Sequence, residues 1–241
     1  MKRIFDIIVS FGGLVFLSPL ILVFVIAVFL QDFHSPFYVA NRTGKNDKPF
    51  KMIKLRSMVI NADKSGVAST SNDDKRITKV GHLIRKFKLD EIVQLFNVLK
   101  GDMSLVGPRP NVQVETDLYS VEEKKLLSVR PGITDFSSIV FSDEGEILEG
   151  RADPDLTYNQ LIRPGKGYLG LFYIDNRSLS LDIKLIFITV IAIFSRRAAL
   201  DRIVNILKDL NAQDFILEIA SRKAPLKPLP PPGLIEVVST R

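Results

Sequence analysis

The run Ile7 to Gln31, IIVSFGGLVFLSPLILVFVIAVFLQ, carries no charged residue, and its reading decides the architecture. As a helix it reaches roughly 37 Å at about 1.5 Å per residue, enough to cross a bilayer. Lys2 and Arg3 precede it, as in a signal peptide. It is too long for a typical signal core and no small-x-small site follows, so cleavage is not expected. Ser18-Pro19 lies at its centre. Pro19 cannot donate to the carbonyl of Val15, and its ring crowds that carbonyl. A kink is expected there, with the Ser18 hydroxyl able to satisfy the freed oxygen. Positive charge flanks both ends: Lys2 and Arg3 before, and Arg42, Lys45, Lys48, Lys51, Lys54 and Arg56 after. Lys and Arg favour the cytoplasmic side, so both flanks ask for one face. A helix broken at Ser18-Pro19 that enters and leaves by that face meets both demands. A kinked spanning helix meets the length alone, and the residues leave the two readings open.

The whole chain of 241 residues suits one catalytic domain with appendages, divided here as 1–35 membrane helix, 36–199 catalytic domain and 200–241 C-terminal helix and tail. A net charge of +6 favours anionic partners: nucleic acid, lipid headgroups or phosphorylated substrates. Cys is absent, which excludes disulfides and thiolate metal sites. His34 and His82 are the only histidines, too few for a usual His-based zinc site. Any metal would be a hard cation on carboxylates, such as Mg²⁺.

Outward from the apolar run, Pro36 to Ala40 and Phe50 to Arg56 alternate as short strands around a Gly44-Lys-Asn-Asp turn. Ser65 to Asp74 reads as a mobile polar loop. Lys79 to Lys100 reads as helical, with Leu83, Ile84, Phe87, Ile92, Leu95, Phe96 and Leu99 on an apolar face and Gly101 as its C-terminal cap. Asp102 to Asn111 is a Pro/Gly loop, Val121 to Val129 a short helix, and Ile133 to Gly150 irregular and acidic. Asp155 to Ile162 reads as a helix ending at Pro164-Gly165. Leu185 to Phe194 is too short to span and reads as a core or interfacial helix. Leu200 to Ser221 is amphipathic, and Lys223 to Pro232 is a Pro-rich extended tail.

Arg76-Ile-Thr, Leu89-Asp-Glu, QLFNVLKGDMSLVGPRP from Gln94 to Pro110, Arg130-Pro-Gly-Ile-Thr and Asp182-Ile-Lys occur in one order, with Lys2-Arg-Ile-Phe-Asp, Ser18-Pro19 and Lys54-Leu-Arg-Ser-Met ahead of them. From Lys2 to about Ser195 the chain resembles the bacterial sugar transferases, the monotopic polyprenol-phosphate phosphoglycosyl transferases. The resemblance implies a re-entrant membrane helix broken at Ser18-Pro19. It also implies a compact α/β domain on the cytoplasmic face of the bacterial inner membrane, resting on lipid through interfacial amphipathic helices. Four positions depart from the family pattern. Ile92-Val93 replaces Leu-Pro, Phe96 replaces Trp, Lys88 stands where Ser or Thr is usual, and Asp135 stands for Gly.

The same resemblance makes Asp90 and Glu91 the catalytic dyad and the place for Mg²⁺. It implies attack by Asp90 on the β-phosphorus of a UDP-sugar, release of UMP, and a phosphosugar-aspartate that polyprenyl (undecaprenyl) phosphate then takes over. Such a double displacement is ping-pong. Without the resemblance, Asp90-Glu91 reads as a solvated pair on a helix. Adjacent helical residues point about 100° apart, so the two share a site only along the edge between them or where a helix begins or bends. Arg109, held between Pro108 and Pro110, offers a planar fork to a phosphate. Lys54 and Arg56 alternate on the expected strand and share a face, as phosphate or headgroup ligands. Arg85 is a further phosphate candidate. An inactive membrane scaffold is the alternative, and a nucleic-acid module finds no motif here, so no nucleic acid partner is expected. The sequence leaves a homodimer open.

Overall fold

The computed structural model describes residues 1–65 and 70–239; part of the loop expected over Ser65 to Asp74, positions 66–69, lies outside them. Helix α1 spans Lys2–Asp32 and carries Pro19 in its interior. The Ser18 hydroxyl donates to the Val15 carbonyl at 2.8 Å, the oxygen that Pro19 leaves without a backbone partner. Among the described residues α1 is the one helix long and apolar enough to cross a membrane.

Both ends of α1 bind the rest of the chain. At the start, Lys2 Nζ meets Asp182 Oδ2 at 2.5 Å and donates to the Val106 carbonyl. Arg3 donates to the carbonyls of Val98 and Leu99. Asp6, buried, accepts from Ser104 Oγ and the Leu105 amide. At the far end Val28 is buried with Leu55, Ile84 and Val93. Asp32 takes a two-pronged pair from Arg56, Nη1 at 2.5 Å and Nη2 at 2.7 Å. Between these anchors Val15, Phe16, Leu22 and Val23 stand exposed.

Strands β1 (Phe37–Thr43) and β2 (Pro49–Leu55) form an antiparallel hairpin in which Tyr38 faces Lys54, Ala40 faces Met52 and Arg42 faces Phe50. Buried Ala40 and Met52 mark that face as the inner one. Arg56 lies one residue beyond β2, and its side chain is committed to Asp32 at the end of α1. The helical region 79–100 is three pieces: α2 (Lys79–Lys86), α3 (Leu89–Ile92) and α4 (Leu95–Lys100). Of the expected apolar face Ile84 is buried, Ile92, Leu95 and Leu99 are half-buried, and Leu83, Phe87 and Phe96 are exposed. Gly101, φ 99, caps α4 as expected.

The loop expected over 102–111 contains β3 (Ser104–Val106), and α5 (Gln113–Asp117) follows. A 3₁₀ turn, Glu123–Ser128, precedes β4 (Gly132–Thr134), which pairs parallel with β3. A Cβ on Gly132 would stand 2.1 Å from the Gly107 nitrogen, so only glycine lets these chains cross. The segment expected to be irregular holds α6 (Phe136–Val140) and α7 (Glu144–Leu148). Helix α8 (Pro154–Thr157) runs through a π turn at Tyr158–Ile162 into α9 (Arg163–Asn176). Pro164-Gly165 therefore opens a helix instead of ending one, since Pro at a first turn lacks only an amide with no intrahelical partner.

Helices α10 (Leu179–Phe194), α11 (Arg196–Asp209) and α12 (Asp214–Ser221) complete the core, burying Leu185, Leu200, Ile203 and Ile219 against Phe136 and Leu169. The fold mixes helix with two short two-stranded sheets, a helix-rich form of the expected α/β class.

Candidate active site

The dyad sits at a break. Lys88 has φ 53, a left-handed conformation, and α3 starts directly after it. Asp90 and Glu91 thus lie in the first turn of a new helix, which meets the condition for adjacent carboxylates to share a site. Three other elements converge on them. From β2, Lys54 Nζ comes 3.7 Å from Asp90 Oδ2. From the rigid 108–110 loop, Arg109 Nη2 meets Glu91 Oε1 at 2.5 Å, with the Arg109 side chain still 31% exposed. From α2, the charge of half-buried Arg85 favours ionised Asp90, although Arg85 touches no carboxylate among the described residues. Arg56 is not part of this group, being committed to Asp32 at the end of α1.

The two carboxylates are driven apart. Burial, then the charge of Glu91, push the Asp90 carboxyl above the usual carboxylate range, with Lys54 pulling against them. Burial pushes Glu91 up as well, but Arg109, Lys88 and Lys54 outweigh it and hold it at about 2. Glu91 is a fixed anion locked to a guanidinium. Asp90 accepts no hydrogen bond among the described residues, and its ion pair with Lys54 is loose, at 3.7 Å. Two hard oxygen ligands beside a place for phosphates suit Mg²⁺, which usually takes one or two carboxylates and completes its shell from substrate and water.

Sequence reading missed several residues. Arg42 lies on the inner face of the hairpin with Lys54. It is half-buried and has no carboxylate partner among the described residues. Burial and the charge of Arg109 lower its pKa, against Tyr38 and Glu115. Counting the strand alternation back across the turn would have found it. Beside Arg109 a cleft is lined by Asn111, Tyr119, Ser137, Tyr158 and Lys166. Burial raises the pKa of both phenols, which stay protonated. Lys166 pairs with Glu144 at the start of α7 and lies over the Tyr158 ring. Asp135, the departure from glycine, caps α6 by accepting from the Ser138 amide at 2.7 Å and from the Ser137 hydroxyl. No local motif marks these residues, because they meet only through the turns between short helices.

Residues 1–196 match the bacterial sugar transferase family. The chain is 38% identical to an uncharacterised sugar transferase, EpsL, of Bacillus subtilis (strain 168), over 79% of this chain and 85% of that one. It is 34% identical to the UDP-N-acetylgalactosamine-undecaprenyl-phosphate N-acetylgalactosaminephosphotransferase of Aeromonas hydrophila, over 79% of this chain and 43% of that one. It is 36% identical to the UDP-glucose:undecaprenyl-phosphate glucose-1-phosphate transferase of Klebsiella pneumoniae, over 82% of this chain and 41% of that one. The chain thus spans under half the length of the latter two relatives. With the ordered motifs, the buried dyad and the long apolar helix, the match is decisive: the chain belongs to the bacterial sugar transferase family and is a membrane-associated phosphoglycosyl transferase.

Proposed function

We propose that the chain transfers a sugar 1-phosphate from a UDP-sugar to undecaprenyl phosphate through a covalent intermediate on Asp90. One observation carries this: Asp90 is buried, free of hydrogen bonds and faced by cations, whereas its neighbour Glu91 is locked to Arg109. A carboxylate in a loose ion pair keeps its oxygens available to attack, whereas one in close contact with a guanidinium is held in place.

An Asp90 oxygen attacks the β-phosphorus, and the bond to the bridging oxygen breaks. That oxygen leaves with its electron pair on UMP. An oxygen of the lipid phosphate next attacks the same phosphorus, the Asp90–phosphorus bond breaks, and a polyprenyl-diphospho-sugar departs. No proton is needed in either displacement when the attacking groups are ionised. Lys54, Arg42 and Arg109 lie where the diphosphate's charge would fall, and they offset the repulsion between carboxylate and phosphate. Mg²⁺ held by Asp90 and Glu91 would neutralise phosphate oxygens. Glu91 keeps Arg109 in place, and the cleft beside Arg109, about 30 Å³ in this structure, opens to receive the sugar.

In this reading α1 is re-entrant and the catalytic face is cytoplasmic. A helix that crosses the bilayer carries one end out of reach of the domain. Here Lys2, Arg3 and Asp6 at one end and Asp32 at the other all bind the same domain.

The test is mass measurement of the intact enzyme after incubation with a panel of UDP-sugars and Mg²⁺, without lipid. The expected result is a sugar-phosphate adduct with one equivalent of UMP, absent in Asp90→Asn and abolished by a chelator. Normal turnover in Asp90→Asn overturns the mechanism, and no adduct or UMP with any UDP-sugar returns the chain to an inactive scaffold.

A further inference from the structure

The family match ends at residue 196, and the chain continues to Arg241. Helices α11 and α12 enter the core, and then the chain turns back at Arg222, φ 49. Arg222 Nη2 donates to Asp143 Oδ2 at 2.8 Å, and Arg196 Nη2 reaches the same oxygen at 2.9 Å. Asp143 directly precedes α7, whose Glu144 holds the cleft residue Lys166. Farther on, the Leu229 amide donates to the Gln160 carbonyl at 3.1 Å. The Gln160 side chain donates to the Val238 carbonyl at 2.9 Å. Gln160 is the middle residue of the π turn that begins at cleft residue Tyr158.

Between these points the tail is seated. Pro231 and Pro232 are buried, and the Leu234 amide closes a turn on the Pro231 carbonyl at 3.0 Å. Pro232 and Gly233, φ 80, fill its two central places, the Pro-Gly signature of a type II turn. Ser120 Oγ donates to the Pro232 carbonyl at 2.5 Å, one residue from cleft residue Tyr119. A Cβ at Gly167, which also lines the cleft, would stand 2.9 Å from the Pro232 ring.

The tail therefore touches three of the stretches that line the cleft beside Arg109, at Tyr119, Tyr158 and Gly167. The first is a loop and the second a π turn, with little order of their own, and the third lies near the start of α9. We infer that the segment from Arg222 to Val238 is a strap that positions the cleft walls and so sets the affinity and selectivity for the sugar half of the nucleotide sugar. The strap acts through the walls and touches no reacting atom. It rests on the proposed donor reading of the site.

The experiment uses the full chain in lipid nanodiscs with undecaprenyl phosphate and a UDP-sugar panel. Two variants are compared with the parent: a stop after Arg222, and Arg222→Met with Gln160→Ala, which cuts two strap contacts outside the cleft lining. The expected result is KM for the preferred UDP-sugar raised at least about fivefold, kcat within about twofold, and narrower discrimination across the panel. If the truncated chain does not fold, judged by its melting curve, the double variant decides. Parent-like KM and sugar ranking, or loss of kcat at constant KM, overturns the strap. A parent that releases no UMP from any UDP-sugar overturns the donor reading, and the strap's role with it.

Discussion

Asp90 and Glu91 are neighbours with opposite fates, and the difference is set by which cation touches which. Lys54 stands 3.7 Å from Asp90, whereas Arg109 is in direct contact with Glu91. In the proposed mechanism Asp90 attacks only as the anion, and its pKa is raised in the free enzyme. The acid limb of kcat/KM reports the free enzyme, so it lies above the ordinary Asp value of about 3.9. Lys54→Met removes a charge that favours the anion, so the limb moves to still higher pH. A limb that stays put or moves down in Lys54→Met rejects this account of Asp90. Glu91, held at about 2, contributes nothing to that limb. Arg109→Lys keeps the charge but not the planar fork, so transfer falls by one to two orders of magnitude, about 1.4–2.8 kcal/mol. Wild-type kinetics would make Arg109 a bystander on a rigid turn.

At the scale of elements, the break at Lys88 matters most. A left-handed Lys costs roughly 1–2 kcal/mol relative to a right-handed one, and a β-branched residue fares worse. Glycine adopts the conformation freely but is looser when unfolded, so the two effects nearly cancel. Lys88→Gly is expected to melt within a few degrees of the parent and keep turnover, whereas Lys88→Val loses about 1–2 kcal/mol or more in denaturant titration. Equal stability of the Gly and Val forms would mean that the helix runs on through position 88. The break itself was not legible: the apolar spacing of residues 79–100 runs through it, and periodicity does not record a turn. The hairpin was legible, because alternation, weak over 36–40 and clearer over 50–56, flanks the Gly44 turn. Strands β3 and β4 were not, since three-residue strands carry no period, and their pairing depends on Gly107 and Gly132, far apart in sequence. Asp90, Glu91, Arg109 and Lys54 were named from the sequence and come together in space. Arg42 was named only as flanking charge, since the first strand was read to end at Ala40, and the cleft tyrosines were not named, because no pattern along the chain records proximity across several elements.

At the scale of the whole molecule, the question is on which side of the bilayer Met1 lies. Pro19 removes one hydrogen bond from α1, Ser18 replaces it, and the two flanks are positive. The fold adds a stronger argument: Lys2, Arg3 and Asp6 make charged hydrogen bonds to the domain, of the kind that contribute about 1.5–3 kcal/mol each. Straightening the helix is therefore not enough to send Met1 across. Ser18→Ala with Pro19→Ala leaves those anchors, and Met1 should stay with the domain. Adding Lys2→Ala and Asp6→Ala removes two of the three anchors and part of the positive flank, and the apolar run is then free to span. The reporter is a Cys placed ahead of Met1, which leaves Lys2 and Arg3 intact in a chain with no other Cys. Intact cells are treated with an impermeant thiol reagent. Protection is expected in the parent and in the double Ala variant, and labelling in the quadruple one. Labelling of the parent would place Met1 outside and end the re-entrant reading. Labelling of the double variant would show that Ser18-Pro19, and not the anchors at Lys2 and Asp6, keeps both ends of α1 on one face.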